Sequence, residues 1–346
     1  MKNLNVTLKH IALLVIIVLC GENVFANVWR VNNRPDVDAD FTSIMQAHQS
    51  SQVEEGDTLY VEASSGVHGN TVLSKQLVII GPGYFLAENP ETQADDNSVI
   101  ISKLTFNDGS QGSIVKGCHI HSMEVNTSDI IIQGNLISNY ESLHAITLGE
   151  NISNIWIKKN YIRQMETYAS SSAIRAVESN TNDVIIKNNY IYIGSTNIGR
   201  SSVNLGEGFN GVLENNTIYG RLNVNNAQFH NNIIRRGSFT TNNVSYTHNM
   251  SDDDQVGTSN GNQSNINMSE VFVGSEGNSS DGRWQLSSTS PAIGVGIGGV
   301  DLGMFGGESP YILSGMPNIP SVYQVEHSIN YEDQTLEVEF SVKSNN

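Results

Sequence analysis

The chain has 346 residues, 38% of them hydrophobic, and a formal net charge of −17. That length and apolar content suit one large domain or two small ones. So acidic a surface repels nucleic acid and anionic membranes at long range, so neither is expected as a partner, and an anionic polysaccharide would need an intervening cation to approach.

Lys2 and Lys9 precede an apolar run from Ile11 to Leu19, and Val24-Phe25-Ala26 offers small-residue cleavage chemistry before Asn27. Residues 1–26 therefore read as a signal peptide, and the run is shorter than the about 20 apolar residues a membrane-spanning helix requires. The mature protein is expected to be secreted, either periplasmic or extracellular at the cell surface. Cys20 is a poor lipid-anchor site because bulky Leu19 precedes it. Cleavage would leave Cys118 as the remaining thiol, so no intrachain disulfide can form and stability must come from stacking.

Beyond the leader, Asp38-Ala39-Asp40 followed by Phe41, Ile44, Met45 and His48 predicts a short capped amphipathic helix that covers an exposed sheet edge. Asp57–Val61 and Leu77–Ile80 supply the first strands. From there the chain repeats itself in seven stretches, aligned on Cys118, Asn135, Asn160, Asn189, Asn216, Asn232 and Asn249, at intervals of 17, 25, 29, 27, 16 and 17 residues. Such spacing indicates stacked structural repeats.

Side chains sort by parity within each repeat, as a strand of period two demands. Three positions before the aligned residue stand Val115, Ile132, Ile157, Ile186, Leu213, Phe229 and Tyr246, an inward column. The next column, which includes Lys158, Lys187 and Glu214, points out. Immediately before the aligned residue come Gly117, Gly134, Lys159, Asn188, Asn215, Asn231 and His248, a set rich in residues that tolerate left-handed backbone. A second short strand follows the bend, and a third lies upstream in Leu104–Phe106, Met123–Val125, Ile146–Leu148, Ile174–Ala176, Val203–Leu205 and Leu222–Val224.

Three strands per turn, stacked at about 4.8 Å, make an all-β parallel β-helix solenoid, with the aligned Asn residues forming an inward ladder. The solenoid is expected to span residues 27–307. Pro310, Pro317 and Pro320 then mark a linker, and Thr335–Val342 alternates as a strand, so residues 308–346 read as a linker with a C-terminal strand or hairpin cap.

Gly56-Asp57-Thr58-Leu59-Tyr60-Val61, Ser290-Pro291-Ala292-Ile293 running into Asp301-Leu302-Gly303-Met304-Phe305-Gly306, and the Asn-aligned turns between them resemble the pectin-lyase-like superfamily of right-handed β-helices. Pro310–Pro317 is similar to uncharacterised exported bacterial members. The resemblance implies the fold and the handedness. It leaves the activity open, because this architecture hosts lyases, hydrolases, epimerases and adhesins.

Three consecutive turns are lengthened, at Ser138–His144, Arg163–Ser172 and Tyr192–Ser202, and insertions on successive turns emerge on one edge where they can wall a groove. Beside them Glu150, Glu178 and Glu207 each follow an inward aliphatic by four residues and should stack on adjacent turns. Carboxylates so close either shift a pKa or recruit a cation, for which Ca2+ is the natural candidate, unless they splay into solvent. Arg175 sits in the outward column nearby, able to neutralise a uronate carboxylate or to pair with Glu150 or Glu178. Ala173-Ile174-Arg175-Ala176 is faintly similar to the strand at the calcium site of the alginate lyase and chondroitinase B family. Ser171 and Ser172 stand where that family carries an acidic residue.

Aromatic columns offer a second candidate. Tyr161 and Tyr190 share an outward column on adjacent turns, Tyr192 and Tyr219 form another, and Trp156 lies on an outward column nearby, with Lys158 and Lys187 as hydrogen-bond donors. Flat exposed rings suit sugar faces, and the same columns also serve as packing ladders. No paired-aspartate set, serine elbow or phosphate loop appears. The functional expectation is an exported monomer that binds or displays on polysaccharide without catalysis. The alternatives are a calcium-dependent lyase of uronate glycans, with Arg175, Lys158 and Lys187 as candidate catalytic residues, and a structural surface or adhesion protein.

Overall fold

A computed structural model describes residues 26–165, 168–176, 180–194 and 200–345. Apart from Ala26, the expected leader lies outside them. The fold is all-β: 22 strands belong to one largely parallel sheet whose contacts repeat from turn to turn in a solenoid-like arrangement, and two more form a separate antiparallel sheet. Among the described residues no helix is long and apolar enough to cross a membrane.

The registers follow the sequence columns. One ladder pairs Leu104 with Met123, Met123 with Ile146, Ile146 with Ile174, Ile174 with Val203 and Val203 with Leu222. A second stacks Val115, Ile132, Ile157, Ile186, Leu213, Phe229 and Tyr246. All of these are buried except Tyr246, which is half-buried near the end of the stack. A third runs through Leu136, Tyr161, Tyr190, Thr217, Ile233 and Met250. In the two closely spaced final repeats, the strands Leu222–His230 and Phe239–Thr247 each span two ladders without a break. Strands there fuse because too few residues separate them for a full bend.

At the bend between the second and third ladders, Gly117, Gly134, Lys159, Asn188, Asn215, Asn231 and His248 all have φ between 53° and 70°. The residue after each turns inward. The backbone N and Nδ2 of Asn160 donate to Oδ1 of Asn189 at 2.9 and 3.0 Å, and Asn160 Nδ2 also reaches the Ile132 carbonyl on the preceding rung at 2.8 Å. Asn135, Asn189, Asn216, Asn232 and Asn249 make the same pattern. The ladder extends one member further than its alignment, to Asn262, whose Oδ1 accepts from both the backbone N and Nδ2 of Asn249. Every ladder amide is thus satisfied away from water, where an orphaned group costs about 1–3 kcal/mol.

The helix Ile44–Gln49 begins after Ser43, whose Oγ accepts from Gln46 N at 3.1 Å, rather than at Asp38 or Asp40. Asp40 instead accepts from Arg30 N in the first strand, Val28–Val31. Ile44 and Ala47 of the helix are buried in the main core.

After one more parallel bridge, Met250 to Gln263, the chain leaves the ladders. Residues 266–316 run back along the outer face of the third ladder and build a second core with it, in which Met268, Phe272, Trp284, Leu302, Met304 and Tyr311 meet Leu136, Tyr161, Tyr190 and Ile233. The bend residues anchor this return segment. Asn188 Nδ2 donates to the carbonyls of Met304 and Gly306, Asn215 Nδ2 to that of Asp301, and Asn231 Oδ1 accepts from Ile297 N. Where Gly315 meets Tyr84 and Gly134, an added Cβ would lie 2.3 Å from the Tyr84 ring and 2.4 Å from the Gly134 carbonyl, so only glycine fits. Strands Ser321–Asn330 and Thr335–Lys343 form a hairpin that touches Glu91 and Ala94. Both contacts lie in the loop before the strand Ile100–Phe106, among the early turns.

Two predictions follow from this packing. Asn189→Ala removes the acceptor of Asn160 N and Nδ2 and the donor to the Ile157 carbonyl, which should cost about 3–5 kcal/mol and appear as a lowered denaturation midpoint. Burial also holds His68, His119 and His144 neutral with pKa values pushed down to about 4. Since the unfolded imidazole titrates near 6.5, this contribution is complete above that pH and is lost as pH falls from there toward 4. Urea midpoints measured at pH 7 and pH 4.5 should differ by less in a His68→Phe variant than in the parent chain.

Candidate functional site

The return segment decides what the aromatic columns do. Tyr161 pairs with Tyr190, and Tyr192 with Tyr219, in the register expected. Tyr161 and Tyr190 are nevertheless only 1% and 2% exposed, so the expectation that they are open sugar platforms is corrected. They are outward with respect to the solenoid but covered by the returning chain. Tyr161 Oη donates to the Ser280 carbonyl at 3.0 Å, and Trp284 stacks on Tyr190 with centroids 4.6 Å apart. Tyr161 and Tyr190 themselves stack at 4.5 Å, the spacing adjacent rungs impose. Burial raises both phenol pKa values, so both stay protonated.

Next to this buried stack the cover is incomplete. A groove of about 480 Å³ remains between the third ladder, which presents Tyr190, Tyr192 and Tyr219, and the return segment, which presents Phe272 and Trp284. Tyr192 and Tyr219 stay partly open, tilted against each other with centroids 5.1 Å apart. Arg235 continues their column, pairing with Tyr219. Its guanidinium lies 5.9, 5.8 and 5.6 Å from the ring centroids of Tyr219, Phe272 and Trp284, and that of Arg283 lies 5.0 Å from Trp284. Among the described residues no Asp, Glu, His or Lys lines the groove. Sequence reasoning missed Arg235, Arg283, Phe272 and Trp284; of these only Arg235 carried a signal, as the next member of the Arg163, Tyr192, Tyr219 column.

A buried carboxylate fixes the wall that carries Trp284. Asp281, fully buried, accepts from Asn89 Nδ2 and Ser279 Oγ at 3.0 Å on one oxygen, and from Tyr311 Oη at 3.0 Å and Ser314 N at 2.7 Å on the other. Tyr84 and Tyr311 share a 2.7 Å hydrogen bond, and burial holds both phenols well above their usual pKa. Four donors replace the water the carboxylate has lost, and Asp281 immediately precedes the turn Gly282–Trp284.

The remaining candidates lie elsewhere. Trp156 sits in the second ladder, half-buried, with Lys158 Nζ 5.1 Å from its ring centroid, and Lys187 is paired with Glu214 at 3.0 Å. Neither these lysines nor Trp156 line the groove. Arg175 stands in register between Thr147 and Asn204 in the first ladder, and its charge adds to the burial that keeps His144 neutral. Glu150 and Glu207 are exposed, and Glu178 lies outside the described residues. The backbone positions of Glu150 and Glu207 are two rungs apart, on the order of 10 Å, so the donor set for one ion turns on Glu178. Among the described residues no group of three or more His, Cys, Asp or Glu is placed to hold a metal.

No family model matches this chain, and neither a curated protein nor a solved structure does so.

Asp281→Ala would leave Ser314 N, and one of the two hydroxyl protons of the Tyr84–Tyr311 pair, without an acceptor in the second core. Its expected result is loosening of residues 266–316 ahead of global unfolding, seen as a red-shifted Trp284 emission and faster proteolysis within that segment at denaturant concentrations where the solenoid's far-UV signal is unchanged.

Proposed function

We propose that this chain is an exported protein that binds polysaccharide without catalysis, built as a right-handed, three-stranded parallel β-helix of the pectin-lyase-like kind. In this reading residues 1–26 are a cleaved leader, the helix Ile44–Gln49 covers the first rung, residues 27–307 form the solenoid with its return segment, and the hairpin in 308–346 is an appendage. The protein acts as a monomer in the periplasm or at the cell surface.

The observation that carries the proposal is the groove. Tyr192 and Tyr219 are partly exposed one rung apart, beside the stacked Tyr190 and Trp284 and bounded by Phe272. Pyranose rings pack their C–H faces against such surfaces, and rigid aromatic side chains lose little entropy in doing so. The all-β repeat fold is a scaffold consistent with that role, because rung spacing holds successive rings in place without any loop having to close. Among the described residues the lining is made of rings, small polar side chains and two arginines, a composition suited to holding a sugar ring.

Affinity chromatography and titration on neutral and acidic polysaccharides test the proposal. At least one should be retained by the full-length protein, with Tyr192→Ala and Tyr219→Ala each weakening it roughly tenfold. Retention of none would reject the reading, as would tyrosine variants that bind as the parent does.

A further inference from the structure

The charge of the groove is opposite to that of the protein around it. The sequence carries 35 Asp and Glu against 18 Lys and Arg, yet the charged side chains lining the groove are Arg235 and Arg283. Both guanidiniums lie within 6 Å of the Trp284 ring centroid, at 5.6 and 5.0 Å. Arg236 stands just outside, 5.6 Å from the Tyr219 ring. Among the described residues no carboxylate forms an ion pair with Arg235 or Arg283, whereas Lys103, Lys187 and Lys343 each have one. The Nε atoms of Arg235 and Arg283 are buried with no hydrogen-bond partner. Two cations held over the rings of one groove, each with a buried Nε donor unused, form an electrostatically incomplete arrangement.

We infer that the groove selects a sugar ring bearing an anionic substituent, with Arg235 and Arg283 as the specificity-determining residues. The inference rests on the polysaccharide reading and narrows it to a ligand class. An anion with two or more oxygens matches the forked guanidinium geometry, whether a uronate carboxylate or a sulfate ester, while the ring itself packs on Tyr192 and Tyr219. Stacking against Phe272, Trp284 and Tyr219 holds Arg235 in position before the ligand arrives, so little side-chain freedom is lost on binding. A distant polyanion meets net repulsion from the acidic surface, but among the described residues the charges lining the groove are the two arginines, and screening by salt confines the repulsion to about 10 Å. No bridging cation is needed there.

The test compares each acidic polymer with its neutralised counterpart: polygalacturonate against its carboxyl-reduced form, and dextran sulfate against dextran. Titration of the full-length protein should show the anionic member of at least one pair bound roughly ten- to a hundredfold more tightly, and which pair responds distinguishes carboxylate from sulfate. Arg235→Gln and Arg283→Gln should each remove most of that ratio, weakening the anionic member far more than the neutral one. Lys103→Gln, remote from the groove, should preserve the ratio. Arg235→Lys keeps the charge and the packing volume, and a reduced but measurable ratio in that variant guards against misfolding of the glutamine variants. Equal binding within both pairs, or a ratio indifferent to both arginines, overturns the inference while leaving polysaccharide binding intact. Failure of every glycan, neutral and acidic, removes the polysaccharide reading and this inference together.

Discussion

Vertical register is the constraint on which the molecule depends, and the buried amide ladder is what enforces it. Each ladder asparagine donates to a carbonyl on one neighbouring rung and to the amide oxygen on the other. A slip of one residue would present a lysine or a bend residue where an amide is required. It would also turn the isoleucine columns out to solvent. The hydrophobic core alone would tolerate some sliding, since apolar packing is non-directional. The amides do not, because inside a dry core each lost partner carries its full desolvation cost.

The left-handed bend just before each ladder residue links this interior order to the outer surface. A positive φ turns two adjacent side chains in opposite directions, so Asn189, Asn216 and Asn232 enter the core while Asn188, Asn215 and Asn231 emerge. Those emerging amides dock the return segment by its backbone. The same three bends thus align the rungs and position residues 297–306 against them. Docking is completed at the far end by the buried side chain of Asp281, stabilised by four hydrogen bonds.

The groove is a product of that docking. A solenoid face alone is a flat ridge of tyrosines, and the return segment converts it into a concave surface by adding a second wall. It also changes the local electrostatics. Arg235 comes from the ladder and Arg283 from the return segment, so the pair exists only once the two are assembled. An overall charge of −17 therefore describes the molecule at long range but not the groove.

The periodic part of the chain was legible from sequence because strand parity and a fixed bend leave a repeating signature. Inward columns, ladder asparagines, left-handed positions and tyrosine pairs all fall where the alignment puts them, and Arg235 was readable as the next residue of its column. Parity tells which side of a strand a residue occupies, and it says nothing about what lies beyond that side. Tyr161 and Tyr190 were therefore read as exposed, and Trp284, Arg283 and Asp281 carried no signal, because the segment that holds them has no period. The amino-acid sequence by itself determined the stacking register. Only the tertiary structure decided which outward face is covered, which stays open and what charge the opening carries, since those properties arise from contacts between residues distant in the chain, such as Tyr161 with Ser280 and Arg235 with Trp284.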